Sequence, residues 1–292
     1  MKHLGELKID GDGGWLENAL SSKKENVNGL NIIADKIREK YKKYDDIIEN
    51  HESSLDESEF LLSKDLLVDF YSSPPSNLKE LIKCRRNDHG LNECPYCGFP
   101  FSPDTLDHFI PKDLWPEYSI YVNNLVPQCR ECAPIKGERY YCDDTTMARF
   151  VHPIYSSIMS KIFFKITVEF DDQMLAPNFN VSFLKNPSLT SPEALRAKKH
   201  LNELQVKTRI MVYCRREFNG WKNKLKARKF DIRDALQQRI NENQGGDNSA
   251  GNWNIALYRG ILENEQITTY LNSLCPAQNE NFIKTKFVEI DI

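Results

Sequence analysis

No run of about eighteen uncharged apolar residues occurs in the chain, so no stretch of it reads as a membrane-spanning helix. Its first residues, MKHLGELKIDGDGG, have neither the apolar centre of a secretion signal nor an Arg-rich amphipathic pattern. A cytoplasmic protein without a membrane role is therefore the expectation. A dominant charge is missing as well. The 292 residues carry a formal net charge of -3, which does not mark the whole chain as a binder of polyanions. No internal repeat is visible.

What is present fits a globular protein, with 40% hydrophobic and 28% charged residues in a length that suits one large or two ordinary domains. Net charge hides a local excess: from Ser191 to Arg233 there are thirteen Lys or Arg against four Asp or Glu, enough for a basic surface. Eight cysteines in a chain this long, without a secretion signal, read better as metal ligands than as a disulfide scaffold. Cys94, Cys97, Cys129 and Cys132 form two Cys-x-x-Cys pairs, while Cys84, Cys142, Cys214 and Cys275 are scattered and read as ordinary thiols.

Periodicity predicts helices over residues 31–50, over 53–73 up to Pro74-Pro75, and in a short segment before Cys94. KIFFKITVEF and NFNVSFLKN alternate as strands and could pair as a hairpin. A long helix is expected from Ser191, as cap, with Pro192 at its first position and Asn219-Gly220 as an interruption. NENQGGDNSAGN, residues 241–252, reads as a linker, and helical periodicity returns from Trp253 to Leu274. Asp10-x-Asp12 lacks the remaining ligands of a calcium loop.

The two cysteine pairs lie 31 residues apart and offer four thiolates, the ligand set of a closed tetrahedral zinc site. Such a shell has no open position, so this zinc would be structural. Between the pairs stand Asp107-His108 and, after fifteen intervening residues, Asn124. A histidine titrating near neutrality can take a proton from water at cellular pH, and a carboxylate can hold a hard cation such as Mg²⁺. Those are the two groups that phosphodiester hydrolysis needs.

Cys-x-x-Cys, Asp-His-x-x-Pro-Lys, Asn-Leu-Val-Pro and Cys-x-x-Cys-x-x-x-Lys-Gly follow in that order, and over roughly residues 90–155 the chain resembles the HNH, or ββα-metal, endonucleases with a zinc ribbon. The resemblance implies a strand carrying Asp107 and His108, a loop carrying Asn124 and a helix beginning near the second cysteine pair. It also implies His108 as general base, Asp107 as ligand of a catalytic Mg²⁺ or Mn²⁺, and Asn124 as the residue that holds the His108 ring. Lys112, Arg130, Lys136 and Arg139 would meet phosphates, Lys136 above all. Phe-Val-His-Pro, residues 150–153, resembles a segment of bacterial anti-phage nucleases of the Septu type, where an ATPase accompanies the nuclease. His152 is then either a group near substrate or a packing residue.

One position departs from the pattern. After the last cysteine the family commonly places Asn or His as a second ligand, and this chain has Ala133, which cannot coordinate. Three explanations stand: an engineered inactive form, a natural loss, or completion by another residue, with His152 first in line. The expectation is an α+β protein, mostly helical around a ββα-metal core with a structural zinc. It would divide into a helical region (1–83), the nuclease core (84–155) and a strand pair with helices (156–292). The function implied is a metal-dependent DNA endonuclease of bacterial defence or restriction, partnered by DNA and by an ATPase or other defence-operon protein. The alternative is a non-catalytic, zinc-stabilised module that binds DNA or docks a partner.

Overall fold

The computed structural model describes residues 1–171, 173, 176–242 and 252–277. The fold is α+β, dominated by helices with small two-stranded sheets. It divides into two compact units. One takes Met1–Phe164, Ser182–Arg209 and the residues just before Ile255, and the other takes Lys165–Val181 and the remaining described residues from Ile210 on.

In the first unit, α1 (Trp15–Leu20) starts where both carboxylate oxygens of Asp12 accept backbone N–H groups, from Gly14 at 3.0 Å and Leu16 at 2.9 Å. Asp12 is thus a helix-start residue. In α2 (Val27–Lys42) the buried face is Leu30, Ala34, Ile37 and Tyr41, one stripe at helical spacing, whereas the apolar Ile32 is 84% exposed. After a break at Lys43, α3 (Tyr44–Glu49) turns Tyr44 and Ile48 inward. Pro74-Pro75 separates α4 (Lys64–Ser72) from α5 (Ser76–Asn87), because a residue before proline avoids the helical region. Arg85 on α5 is buried, with Nε donating to Leu125 O at 2.9 Å and Nη1 to Leu7 O at 2.7 Å. It fastens this helix to the centre of the unit, and burial brings its pKa down to about 10.

That centre is the antiparallel pair β1 (Thr105–His108) and β2 (Leu125–Gln128), in a register setting Asp107 opposite Val126 and His108 opposite Leu125. The one-turn helix α6 (Ala133–Lys136) follows, ended by Gly137 at φ 50°. β3 (Tyr141–Cys142) and β4 (Met147–Ala148) form a further small hairpin around Thr146 at φ 45°. α7 (Ser191–Glu203) is capped by Thr190, one residue earlier than expected: its hydroxyl accepts from Glu193 N and the Glu193 carboxylate accepts from Thr190 N.

The strand pair β5 (Ile162–Glu169) and β6 (Asn178–Lys185) forms as its alternation predicts, with Ile162, Phe164, Ile166 and Val168 inward. The expected long helix is instead α7 followed by α8 (Val206–Ala227), divided at Gln205, φ 52°. Asn219-Gly220 does not interrupt α8. The second unit continues with α9 (Ile232–Glu242), α10 (Trp253–Leu262, from Ile255) and α11 (Glu265–Ser273). Gly260 of α10 is required by close approach to β5: a Cβ there would stand 2.2 Å from Ile166 O. Most of the expected linker at 241–252 lies outside the described residues.

Candidate metal centre and the histidine beside it

The four cysteines converge. Their sulfurs all lie within 4.8 Å of one another, all are buried, and Cys97 Sγ is 3.8 Å from Cys129 Sγ. Tetrahedral zinc with Zn–S bonds of about 2.3 Å places its sulfurs about 3.8 Å apart, so the donor set fits zinc in type and spacing. Each knuckle is a tight turn: Gly98 N–H reaches Cys94 O at 2.8 Å, helped by Gly98 at φ 74°, and Cys132 N–H reaches Cys129 O at 3.0 Å. Arg209 aims its guanidinium at the sulfurs, 3.2 Å to Cys132, 3.6 Å to Cys97 and 3.7 Å to Cys129. A positive group there would offset the charge of four thiolates on one dication. Trp253 Nε1–H donates to Cys97 O at 2.8 Å.

His200, which the sequence did not single out, joins the first knuckle to the segment after β4. Its ring accepts Val151 N–H at Nδ1, 3.0 Å, and donates from Nε2 to Tyr96 O, 2.7 Å. Burial brings its pKa from 6.5 to about 4, so the ring is neutral at pH 7.

On β1, successive residues point to opposite sides of the strand. His108 meets Tyr71 of α4 edge-on, ring centroids 4.4 Å apart. Its Nε2 lies 2.9 Å from Ser119 O; since a carbonyl only accepts, Nε2 carries the proton and Nδ1 is left as the basic atom. Burial is the main reason that the pKa falls to about 3, the Ser119 carbonyl offsetting part of the effect. The imidazole is therefore in the base form across neutral pH.

Asn124 does not hold this ring, contrary to the expectation. It pins the chain that follows β1: its Oδ1 accepts from Ile110 N at 2.7 Å, and its Nδ2 donates to Ile110 O at 2.9 Å and Tyr118 O at 3.1 Å. Its backbone carbonyl accepts from Phe109 N at 2.9 Å. Asn124 acts on His108 only through this loop, which delivers Ser119. Tyr44 Oη donates to Asn124 Oδ1 at 2.8 Å and lies 3.3 Å from His152 Nε2. The other His152 nitrogen, Nδ1, accepts from Ile154 N at 3.2 Å, and its ring packs between Phe109 and Tyr155. With both nitrogens engaged and burial holding it neutral, His152 is a packing residue in this geometry and offers no lone pair to complete a site at Ala133.

Asp107 is 9% exposed at its side chain and has internal partners on both oxygens. Tyr96 Oη donates to Oδ2 at 2.6 Å, and Lys136 Nζ stands 3.1 Å from Oδ1. Lys136, expected to meet phosphate, is fully buried and turned inward: from the last position of α6 its ammonium reaches Asp107 and the carbonyls of His108 and Phe109. Ala133 opens α6 half-buried and supplies no donor side chain. The other expected phosphate contacts are ion-paired within the chain: Lys112 with Asp113 at 2.9 Å, Arg130 with Asp104 at 2.7 Å, and Arg139 with Glu203 at 2.7 Å. Arg130 is 78% exposed, and a pair so exposed is worth little.

No family model matches the chain, and no solved structure matches it. A stretch of 74 residues is 38% identical to protein ea31 of Escherichia phage lambda. That stretch is 25% of this chain and 23% of that protein, so the chain matches under a quarter of this relative. Among the described residues no helix is long and apolar enough to cross a membrane.

Proposed function

We propose that the chain is a zinc-stabilised HNH-type nuclease whose chemistry, hydrolysis of DNA phosphodiester bonds, centres on His108. The observation that carries this reading is the set of His108: one nitrogen tied to Ser119 O, the other without a partner among the described residues, on a strand that also bears Asp107 and between two cysteine pairs whose sulfurs converge. In this mechanism Nδ1 takes the proton of the attacking water, and the Ser119 carbonyl holds the tautomer and steadies the imidazolium that results. A pKa near 3 makes His108 a weak base when the site is empty; an anionic phosphate brought beside it raises that value toward the working range. Arg130, Lys112 and Arg139 are the exposed or half-exposed cations that would exchange their carboxylate partners for phosphates.

The chemistry of this class uses a hard cation, Mg²⁺ or Mn²⁺, to neutralise charge on the phosphoryl group. The residues present do not fit it: Asp107 has both oxygens engaged, and Ala133 contributes no ligand. The chain with Ala133 is therefore a form that engages DNA and cleaves it poorly. The same observation favours a second reading, a non-catalytic zinc-stabilised module that binds nucleic acid or docks a partner; an ATPase of the defence systems it resembles is the partner this would involve. Nicking of supercoiled plasmid with Mg²⁺ or Mn²⁺ separates the two. Ala133→Asn, which adds an oxygen donor at the start of α6, is expected to raise cleavage well above the parent. No cleavage by either form, with or without partner, would hand the case to the binding module.

A further inference from the structure

Lys136 is a fully buried lysine, and its ammonium is surrounded by oxygen. Nζ lies 3.1 Å from Asp107 Oδ1, 3.0 Å from His108 O and 3.1 Å from Phe109 O. Three N–H donors meet three oxygens, the full complement for an ammonium. The rings of Phe109 and Phe150 stand 5.8 and 5.6 Å from Nζ and close the rest of its surroundings. An oxygen cradle of one carboxylate and two carbonyls is the ligand type of a hard cation. Ala133 stands three residues before Lys136 on α6, so the two share a side of the helix. The position without a donor and the residue bearing the charge belong to one arrangement.

We infer that Lys136 is the resident cation of this centre: its ammonium holds the place beside Asp107, and a divalent ion binds there only by displacing it. This rests on the reading of Asp107 as the carboxylate of an HNH-type centre and deepens it. Displacement is costly because the ammonium would lose its counter-charge inside the protein, where an unpaired charge is strongly destabilising. Tyr96, donating to the second carboxylate oxygen at 2.6 Å, completes the lock. Burial and the neighbouring carboxylate hold its hydroxyl in the protonated form that donates.

The two accounts of Asp107 differ in what its removal does. A carboxylate kept open for a metal can be neutralised without loss to the metal-free fold, whereas the partner of a buried lysine cannot. In protein with its zinc content verified, Asp107→Asn is expected to lower Tm by about 10 °C, and adding Lys136→Met to it should recover most of the loss. Mn²⁺ titrated into the zinc-loaded protein and followed by electron paramagnetic resonance should bind Lys136→Gln roughly tenfold more tightly, or better, than the parent. If Lys136→Gln does not fold without Mn²⁺, the Asp107→Asn pair of measurements decides alone. An unchanged or raised Tm for Asp107→Asn, or Mn²⁺ bound no more tightly by a folded Lys136→Gln than by the parent, would overturn the inference. None of these readouts involves cleavage, so a failure of the nuclease reading remains distinguishable.

Discussion

His200 shows how a single ring holds the four-cysteine region together: a neutral imidazole accepts from Val151 and donates to Tyr96, and both bonds depend on it carrying one proton. Its folded pKa of about 4 lies below the usual 6.5, so the unfolded chain takes up the extra proton first. The stabilisation is present in full above pH 6.5 and is lost as pH falls toward 4, an effect on the order of 3 kcal/mol for a ring this buried. Measured by denaturation, the difference in stability between the parent and His200→Gln should shrink by that order between pH 7 and pH 4; a constant difference would refute the assignment. Nothing in the sequence marked His200, because its partners are 49 and 104 residues away. Lys136 was misplaced for the same reason. Its spacing from the cysteines is legible, but the partner that draws it inward, Asp107, is fixed only by the fold of β1 against α6.

At the scale of elements, the cysteine pairs were legible because each is a local turn with a ligand rule attached, and the four buried sulfurs do converge. Cys97→Ser should lose zinc and, with it, the folded knuckles, giving protease-sensitive protein, while Cys275→Ser, whose half-buried sulfur donates to the Phe230 carbonyl, should be nearly silent. Elemental analysis with limited proteolysis reads both; a zinc-free but protease-resistant Cys97→Ser protein would contradict the structural assignment. The strands β5 and β6 announced themselves by alternation over eight residues each, which β3 and β4, at two residues each, are too short to do. The division between α7 and α8 was hidden because the left-handed turn there is made by Gln205, with no glycine or proline to signal it. Arg209 lies on the far side of that turn and reaches the clustered cysteines only through the fold.

At the scale of the whole first unit, the helical region before the cysteines converges on one hairpin. Tyr71 of α4 contacts His108, Tyr44 of α3 holds Asn124, and Arg85 of α5 grips β2. The resemblance covered about a fifth of the sequence, yet the support of the centre comes from well outside that span. One comparison tests the role of His108 most directly: DNA cleavage by Ala133→Asn and by Ala133→Asn combined with His108→Ala, at equal zinc content and with DNA affinity measured alongside. The expected result is metal-dependent cleavage by the first and a loss of about 10²- to 10⁴-fold in the second, with affinity little changed. Cleavage that survives the loss of His108 would place the base elsewhere and contradict the mechanism.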